Sequence, residues 1–156
     1  MDFGEEEIVK FLKCLNDNKV KYILVGGFAV NVNGFNRSTN DLDIWLKDDM
    51  ENRKCFVDGL TSYGIIGAEV FISLPFIAGY TEIILNNGYP VDVMADLQFF
   101  KQNNFDDCHN FCLNFEIENE ISVPILHLNH LIKEKENSKR PKDVLDVQEL
   151  KQLYKL

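Results

Sequence analysis

Apolar and polar positions divide the chain into alternating helical and extended segments. In GEEEIVKFLKCLNDN, residues 4–18, Ile8, Phe11, Leu12 and Leu15 recur at helical spacing. Acidic residues crowd its first turns, where the helix dipole favours them. KVKYILV, ending at Val25, predicts a strand, and Gly26-Gly27 then turns the chain. Phe28–Asn33 predicts a short helix that Gly34 ends as a left-handed cap. Asp41–Leu46 predicts the next strand. DDMENRKCFVDGLTSYG, residues 48–64, predicts a helix with Asp48 as N-cap and Gly64 beyond its end. YTEIILNNGYPVDVM, residues 80–94, is the clearest hairpin, with apolar strands flanking the favoured tight-turn pair Asn87-Gly88. CLNFEIENEISVPIL, residues 112–126, predicts a second hairpin about Asn119-Glu120. Two C-terminal helices follow, the second opening at Pro141, a residue suited to the first helical position. Residues 65–80 fit neither period. This order predicts an α/β or α+β domain, a mixed sheet flanked by helices.

Length adds one constraint: 156 residues suit a single domain, 1–156, with room for a real core. The net charge of −9 argues against broad binding to nucleic acid or anionic membrane, while leaving room for a local basic site. The opening MDFGEEEIVKFL is acidic and does not read as a leader. No apolar run approaches membrane-spanning length, so no membrane partner is expected and the default location is cytoplasmic. Cys14, Cys55, Cys108 and Cys112 are scattered and read as reduced thiols. CHNFC, with His109 between Cys108 and Cys112, lacks the second ligand pair of a structural zinc site.

Asp41 and Asp43 sit in a run otherwise as apolar as Leu42, Ile44, Trp45 and Leu46. Alternation along a strand puts Asp41, Asp43 and Trp45 on one face and Leu42, Ile44 and Leu46 on the other. Two adjacent carboxylates repel, more so when partly buried. A divalent cation reverses that cost, and hard oxygen ligands suit magnesium. An EF-hand does not fit, because its glycine is missing and the spacers are bulky. PVDVMADL repeats the arrangement, with Asp92 between Val91 and Val93. If the two strands are neighbours, Asp41, Asp43 and Asp92 form a triad able to hold two magnesium ions, or manganese, for phosphoryl transfer.

Gly26-Gly27 follows a strand, and backbone N–H groups at such a turn can cradle phosphate oxygens. NGFNRSTN, residues 33–40, adds Arg37, Ser38 and Thr39 as side-chain donors. Lys133, Lys135, Lys139, Arg140 and Lys142 place five of the 16 basic residues within ten positions, a local asymmetry in an acidic chain. His127 and His130 read as structural. Trp45 reads as a packing residue rather than a base-stacking one.

Gly26-Gly27, thirteen residues, Asp41-x-Asp43 in an apolar setting, and Asp92 in a later strand together resemble the DNA polymerase β-like nucleotidyltransferase superfamily. GGFAVNVNGFNRSTNDLDIWL is most similar to its small prokaryotic members, including abortive-infection toxin-type proteins. LIKEKENSKRPKDVLDVQEL resembles the segment those proteins carry after the sheet, with Lys135, Arg140, Lys142, Asp143 and Asp146 at matching positions. The resemblance spans about Val20 to Leu150. Many members have serine second in the glycine pair, where this chain has Gly27 and so only backbone donors.

The resemblance implies transfer of a nucleoside monophosphate from a nucleoside triphosphate to an acceptor hydroxyl. Metals would sit on Asp41, Asp43 and Asp92, the phosphates at Gly26 and Gly27, and Lys135 or Arg140 would contact the nucleotide. Asp92 would take the acceptor's proton or lower its pKa. It further implies a protein or RNA acceptor and a possible antitoxin partner. A small-molecule nucleotidyltransferase of antibiotic-modifying type and an inactive nucleotide-binding module are the alternatives.

Overall fold

The computed structural model describes residues 6–73, 79–118 and 121–156. Helix α1 (Glu6–Asp17) leads into β1 (Tyr22–Val25), the short α2 (Gly26–Val32) and β2 (Leu42–Leu46). Helix α3 (Met50–Tyr63), the single turn α4 (Val70–Ser73) and the strands β3 (Thr81–Ile84) and β4 (Pro90–Met94) follow. A 3₁₀ turn precedes α5 (Phe105–Asn110), then β5 (Leu113–Ile117), β6 (Ile121–Ile125), α6 (Leu128–Glu136) and α7 (Pro141–Tyr154). The strands form one six-stranded mixed sheet in the order β3-β4-β2-β1-β6-β5. β2 runs parallel to β4 and antiparallel to β1, and β1 runs parallel to β6. The mixed sheet flanked by helices is the architecture that the alternation of patterns predicts. Among the described residues no helix is long and apolar enough to cross a membrane.

The apolar stripe of α1 is buried as its spacing requires: Ile8, Phe11, Leu12 and Leu15 are all in the core. Phe11 meets Tyr63 of α3 edge-on at 5.4 Å. Leu42, Ile44 and Leu46 of β2, and Val91 and Val93 of β4, have no exposed surface. The opposite face of β2 is divided. Asp43 opens toward a cavity, while Trp45 is sealed under Phe100 and Phe105, with ring centroids at 6.5 and 5.1 Å. Trp45 Nε1 donates to the Ala95 carbonyl at 2.8 Å, so its one polar atom is satisfied inside the core and the ring packs rather than stacks on a ligand.

Several boundaries differ from the pattern. β1 begins at Tyr22, not Lys19, because the chain leaving α1 is still coiled there: Lys19 is left-handed and Val20 N–H donates back to Leu15. α2 begins at Gly26 itself, which adopts φ +65° and makes the turn without a linker. Gly34 is left-handed as predicted. α3 is capped by Asp49, whose side chain accepts from Asn52 N–H at 2.7 Å. Asp48 instead binds Arg53 at 2.6 Å, since only one of two adjacent aspartates can face the helix end. In the first hairpin Leu85 N–H donates to the Tyr89 carbonyl and Gly88 N–H to the Leu85 carbonyl, which closes a three-residue loop, 86–88, one residue longer than the tight turn predicted. The second hairpin pairs as predicted, but its tip Asn119-Glu120 lies outside the described residues. Of the ambiguous stretch 65–80, Val70–Ser73 is a single helical turn and 74–78 lie outside the described residues.

Candidate active site

Parallel pairing of β2 with β4 sets Asp43 directly opposite Asp92. Paired residues project to the same face of a sheet, so the register that buries Leu42 and Ile44 against Val91 and Val93 also brings the two carboxylates together. Asp41, just before β2, completes the group: one oxygen from each of the three lies within 4.8 Å of the others. Asp92 is only 8% exposed, and its Oδ1 has no hydrogen-bond partner.

Burial, then Asp41, then Asp92, push the Asp43 carboxyl from 3.8 to about 7. Lys135 and Arg140 offset this in part from a distance. Burial first, and Asp41 second, push Asp92 to about 6, and Glu82 adds to the effect. Three hard carboxylate donors, one with an orphaned buried oxygen, fit a divalent cation.

The glycine turn is pressed onto this cluster. A Cβ at Gly26 would land on Asp43 Oδ2, and Gly26 has φ +65°, so an L side chain is excluded by contact and by backbone conformation. A Cβ at Gly27 would stand 2.5 Å from Thr39 Oγ1 and 3.3 Å from Arg37 Nη1. Loop side chains therefore occupy the space above Gly27 that a serine there would need. Thr39 and Arg37 thus lie over the turn, and both line the cavity. Ser38 does not line it; its carbonyl accepts from Arg37 Nη1 at 3.0 Å.

Lys135 and Arg140 reach the same cavity by a route the sequence did not reveal. Lys135 is buried in α6 and pairs with Asp143 at 2.8 Å and Asp146 at 3.0 Å, both on α7. Asp146, with no exposed surface, also grips Arg37 through Nε at 2.7 Å and Nη2 at 2.9 Å. Arg140, 70% exposed, meets Asp143 at 2.7 Å, as does Ser138 Oγ at 2.6 Å. Burial alone would raise the Asp143 pKa. Hydrogen bonds from Arg140, Lys135 and Ser138 outweigh it and hold the carboxyl far below its usual range. Lys133 lies over the Phe99 ring at 5.1 Å.

A cavity of about 830 Å³ joins these parts. Gly26, Gly27, Arg37 and Thr39 line one end, and Lys135, Arg140 and Lys142 the adjoining wall. Tyr80, Met94, Leu97, Lys101 and Leu131 line it as well. Glu134, also in the lining, accepts backbone N–H bonds from Gln98, Phe99 and Phe100 at 2.5, 2.9 and 3.2 Å. Neither Glu134 nor Glu82 stood out in the sequence. Only the strand register shows that Glu82 is paired with Asp92.

The other candidates take packing roles. His127 Nδ1 accepts from Asn129 N–H and caps α6, and His130 packs on Phe100 and Phe111. Cys112 Sγ bonds the Cys108 carbonyl, and His109 stacks on Phe105. All four cysteines are free.

The mixed sheet with a carboxylate cluster beside a glycine turn defines a nucleotidyltransferase-like fold. Among solved structures the chain is similar to TM1012 of Thermotoga maritima, a protein whose own nucleotidyltransferase assignment is a proposal. The TM-score is 0.57 at 18% identity, over 99% of this chain and 94% of that one. At that identity the likeness shows the fold alone. No family model and no curated protein sequence matches the chain.

Proposed function

We propose that the protein is a metal-dependent nucleotidyltransferase, which transfers a nucleoside monophosphate from a nucleoside triphosphate to an acceptor hydroxyl. One observation carries this reading. Three carboxylates converge with no salt-bridging cation among the described residues, against a glycine turn where an added Cβ would collide. Asp41, Asp43 and Asp92 would hold magnesium, which when bound supplies charge neutralisation for the triphosphate and the attacking oxygen. Gly26 and Gly27 offer backbone N–H groups to the phosphates at close range. Thr39 adds a hydroxyl over the turn, and Arg37 a guanidinium that Asp146 and the Ser38 carbonyl hold in place. Lys135 and Arg140 supply positive potential on the adjoining wall, Arg140 from the more exposed position. In the transfer, the acceptor oxygen bonds to the α-phosphorus, the bond to the bridging oxygen breaks, and pyrophosphate leaves. Asp92, on the side away from the glycines, takes the acceptor's proton. Alignment and charge neutralisation supply most of the rate.

The acceptor is a macromolecule, protein or RNA. The sequence resemblance supports a role as the toxin of a two-gene system with an antitoxin partner.

The test is incubation with each labelled nucleoside triphosphate, magnesium and cell extract, comparing wild type with Asp43→Asn. Wild type passes label to one fraction of the extract. The substitution keeps side-chain size, removes a ligand charge and lowers turnover by at least about a hundredfold without unfolding the chain. Turnover by Asp43→Asn at the wild-type rate would remove the assignment.

A further inference from the structure

The cations lining the cavity come from a few segments. Arg37, Lys135, Arg140 and Lys142 belong to the loop after α2 and to the α6–α7 segment, and Lys101, held by the Leu97 carbonyl at 2.8 Å, follows β4. Beyond β4 lies β3, an edge strand of the sheet. Residues 79–84, GYTEII, contain no cation.

Glu82 pairs with Asp92, which pairs with Asp43, so these three carboxylates form a row across three neighbouring strands. Neighbouring strands lie about 4.8 Å apart, which puts Glu82 one strand beyond the triad, on the same face. No cation pairs with Glu82 among the described residues. By alternation Tyr80 and Ile84 share its face. They are 54% and 49% exposed, and Tyr80 lines the cavity. The acceptor side therefore offers an aromatic ring, a carboxylate and an aliphatic side chain along a strand edge that has no partner strand among the described residues.

Resting on the transfer reading above, we infer that the acceptor is an extended, basic segment of a protein that pairs along β3 and sets a Lys or Arg against Glu82 and Tyr80. An unpaired strand edge binds extended peptide by main-chain hydrogen bonds, and alternate side chains then give specificity. A carboxylate beside an aromatic face suits an ammonium or guanidinium group. Glu82, which lies outside the metal-holding triad, repels the phosphates of an RNA end at this edge. The acceptor hydroxyl has to cross the width of β3 to reach the Asp92 side, which favours a long side chain, tyrosine over serine. Bond making and breaking balance as in the transfer above, with a phenolic oxygen as nucleophile and its proton passing to Asp92.

The probe is a short peptide with one tyrosine flanked by lysines, and oligouridylate is its polyanionic comparator. Binding is read by fluorescence anisotropy with magnesium present, for wild type, Glu82→Gln, Glu82→Lys and Tyr80→Ala. Glu116→Lys, on exposed β5, makes the same charge change elsewhere. Peptide affinity is expected to fall about threefold in Glu82→Gln and tenfold or more in Glu82→Lys, and less than twofold in Glu116→Lys. Equal losses in Glu82→Lys and Glu116→Lys, or tighter binding of oligouridylate than of peptide by wild type, would overturn the inference. A labelled nucleoside triphosphate added to the same mixtures separates the two readings. Glu82-dependent peptide binding without label transfer supports the docking edge and counts against the transfer chemistry. Transfer to oligouridylate supports the chemistry and overturns the acceptor.

Discussion

Asp143 and Asp146 on α7 are buried among three cations, Lys135, Arg37 and Arg140. Asp41, Asp43 and Asp92, at the other side of the same cavity, have no cation within salt-bridge distance among the described residues. The proton affinities diverge accordingly: Asp143 is held as a carboxylate, while Asp43 and Asp92 are pushed toward the acid form. In one cluster the counter-charge is part of the chain and serves the fold. In the other it is missing, which is the expected condition of a site whose counter-charge arrives with a ligand. The contrast predicts that substitutions in the two clusters have opposite effects on the metal-free protein.

The largest effect is expected in the paired cluster. Asp146 has no exposed surface and holds Arg37 and Lys135 together, joining the loop after α2 to α6 and α7. Asp146→Asn leaves two cations short of their partner in a dry setting. Breaking a buried pair from one side costs about 3–5 kcal/mol. Urea unfolding is expected to show an unfolding free energy lowered by that amount, with magnesium making no difference to the loss. A loss under about 1 kcal/mol, typical of an exposed pair, would mean that water screens the network.

The pH dependence of the metal-free protein comes next. Folding raises the Asp43 and Asp92 pKa values from 3.8 to about 7 and about 6. Between those limits the folded state binds more protons than the unfolded one, so stability falls as pH rises. The fall begins near pH 4 and ends near pH 7, and amounts to a few kcal/mol. Asp143 works the other way: its depressed pKa contributes stability above the usual carboxylate range that is lost on acidification below about pH 4. Melting temperature without metal is therefore expected to peak near pH 4–5 and decline toward pH 8. Saturating magnesium removes most of that decline. A metal-free profile that is flat from pH 4 to 8 would show that the triad is not strained.

The same contrast explains which parts of the molecule the sequence disclosed. Alternation in LDIWL and PVDVM placed Asp43 and Asp92 on strand faces, because period-two burial is a local property of each strand. The helical stripe of α1 was legible for the same reason. What the pattern could not supply was pairing. That β2 lies beside β4 in a register matching Asp43 with Asp92 depends on contacts across 40 or more residues, whereas Glu82 extends the row through the local register of the β3–β4 hairpin. The basic segment was visible as composition, yet its use was not. Lys135 reads as a surface lysine until Asp143 and Asp146 are folded over it, which burial on α7 brings about. The choice of Asp49 over Asp48 as cap turned on the Arg53 contact, again a matter of which neighbour lies within reach.

The smallest effect, and the sharpest division between the clusters, is expected at Asp41. It raises the pKa of both Asp43 and Asp92, so it is a source of the strain at the site. Asp41→Asn keeps the shape of the side chain and removes one of three like charges. Metal-free, the variant is expected to match wild type or exceed it by about 1 kcal/mol, the usual gain from relaxing a strained functional site. With magnesium and nucleoside triphosphate the order reverses. A ligand that binds only the folded state stabilises by mass action, about 2.7 kcal/mol at a hundred times its dissociation constant, and the variant has lost a ligand carboxylate. Four melting curves decide the matter: wild type and Asp41→Asn, each with and without magnesium–nucleotide, at pH 8, above the raised pKa values of Asp43 and Asp92. A variant that melts well below wild type without ligand, and gains as much as wild type with it, would make Asp41 a structural residue. Asp41 would then belong with Asp143 and Asp146, and the electrostatic division between the two clusters would fail.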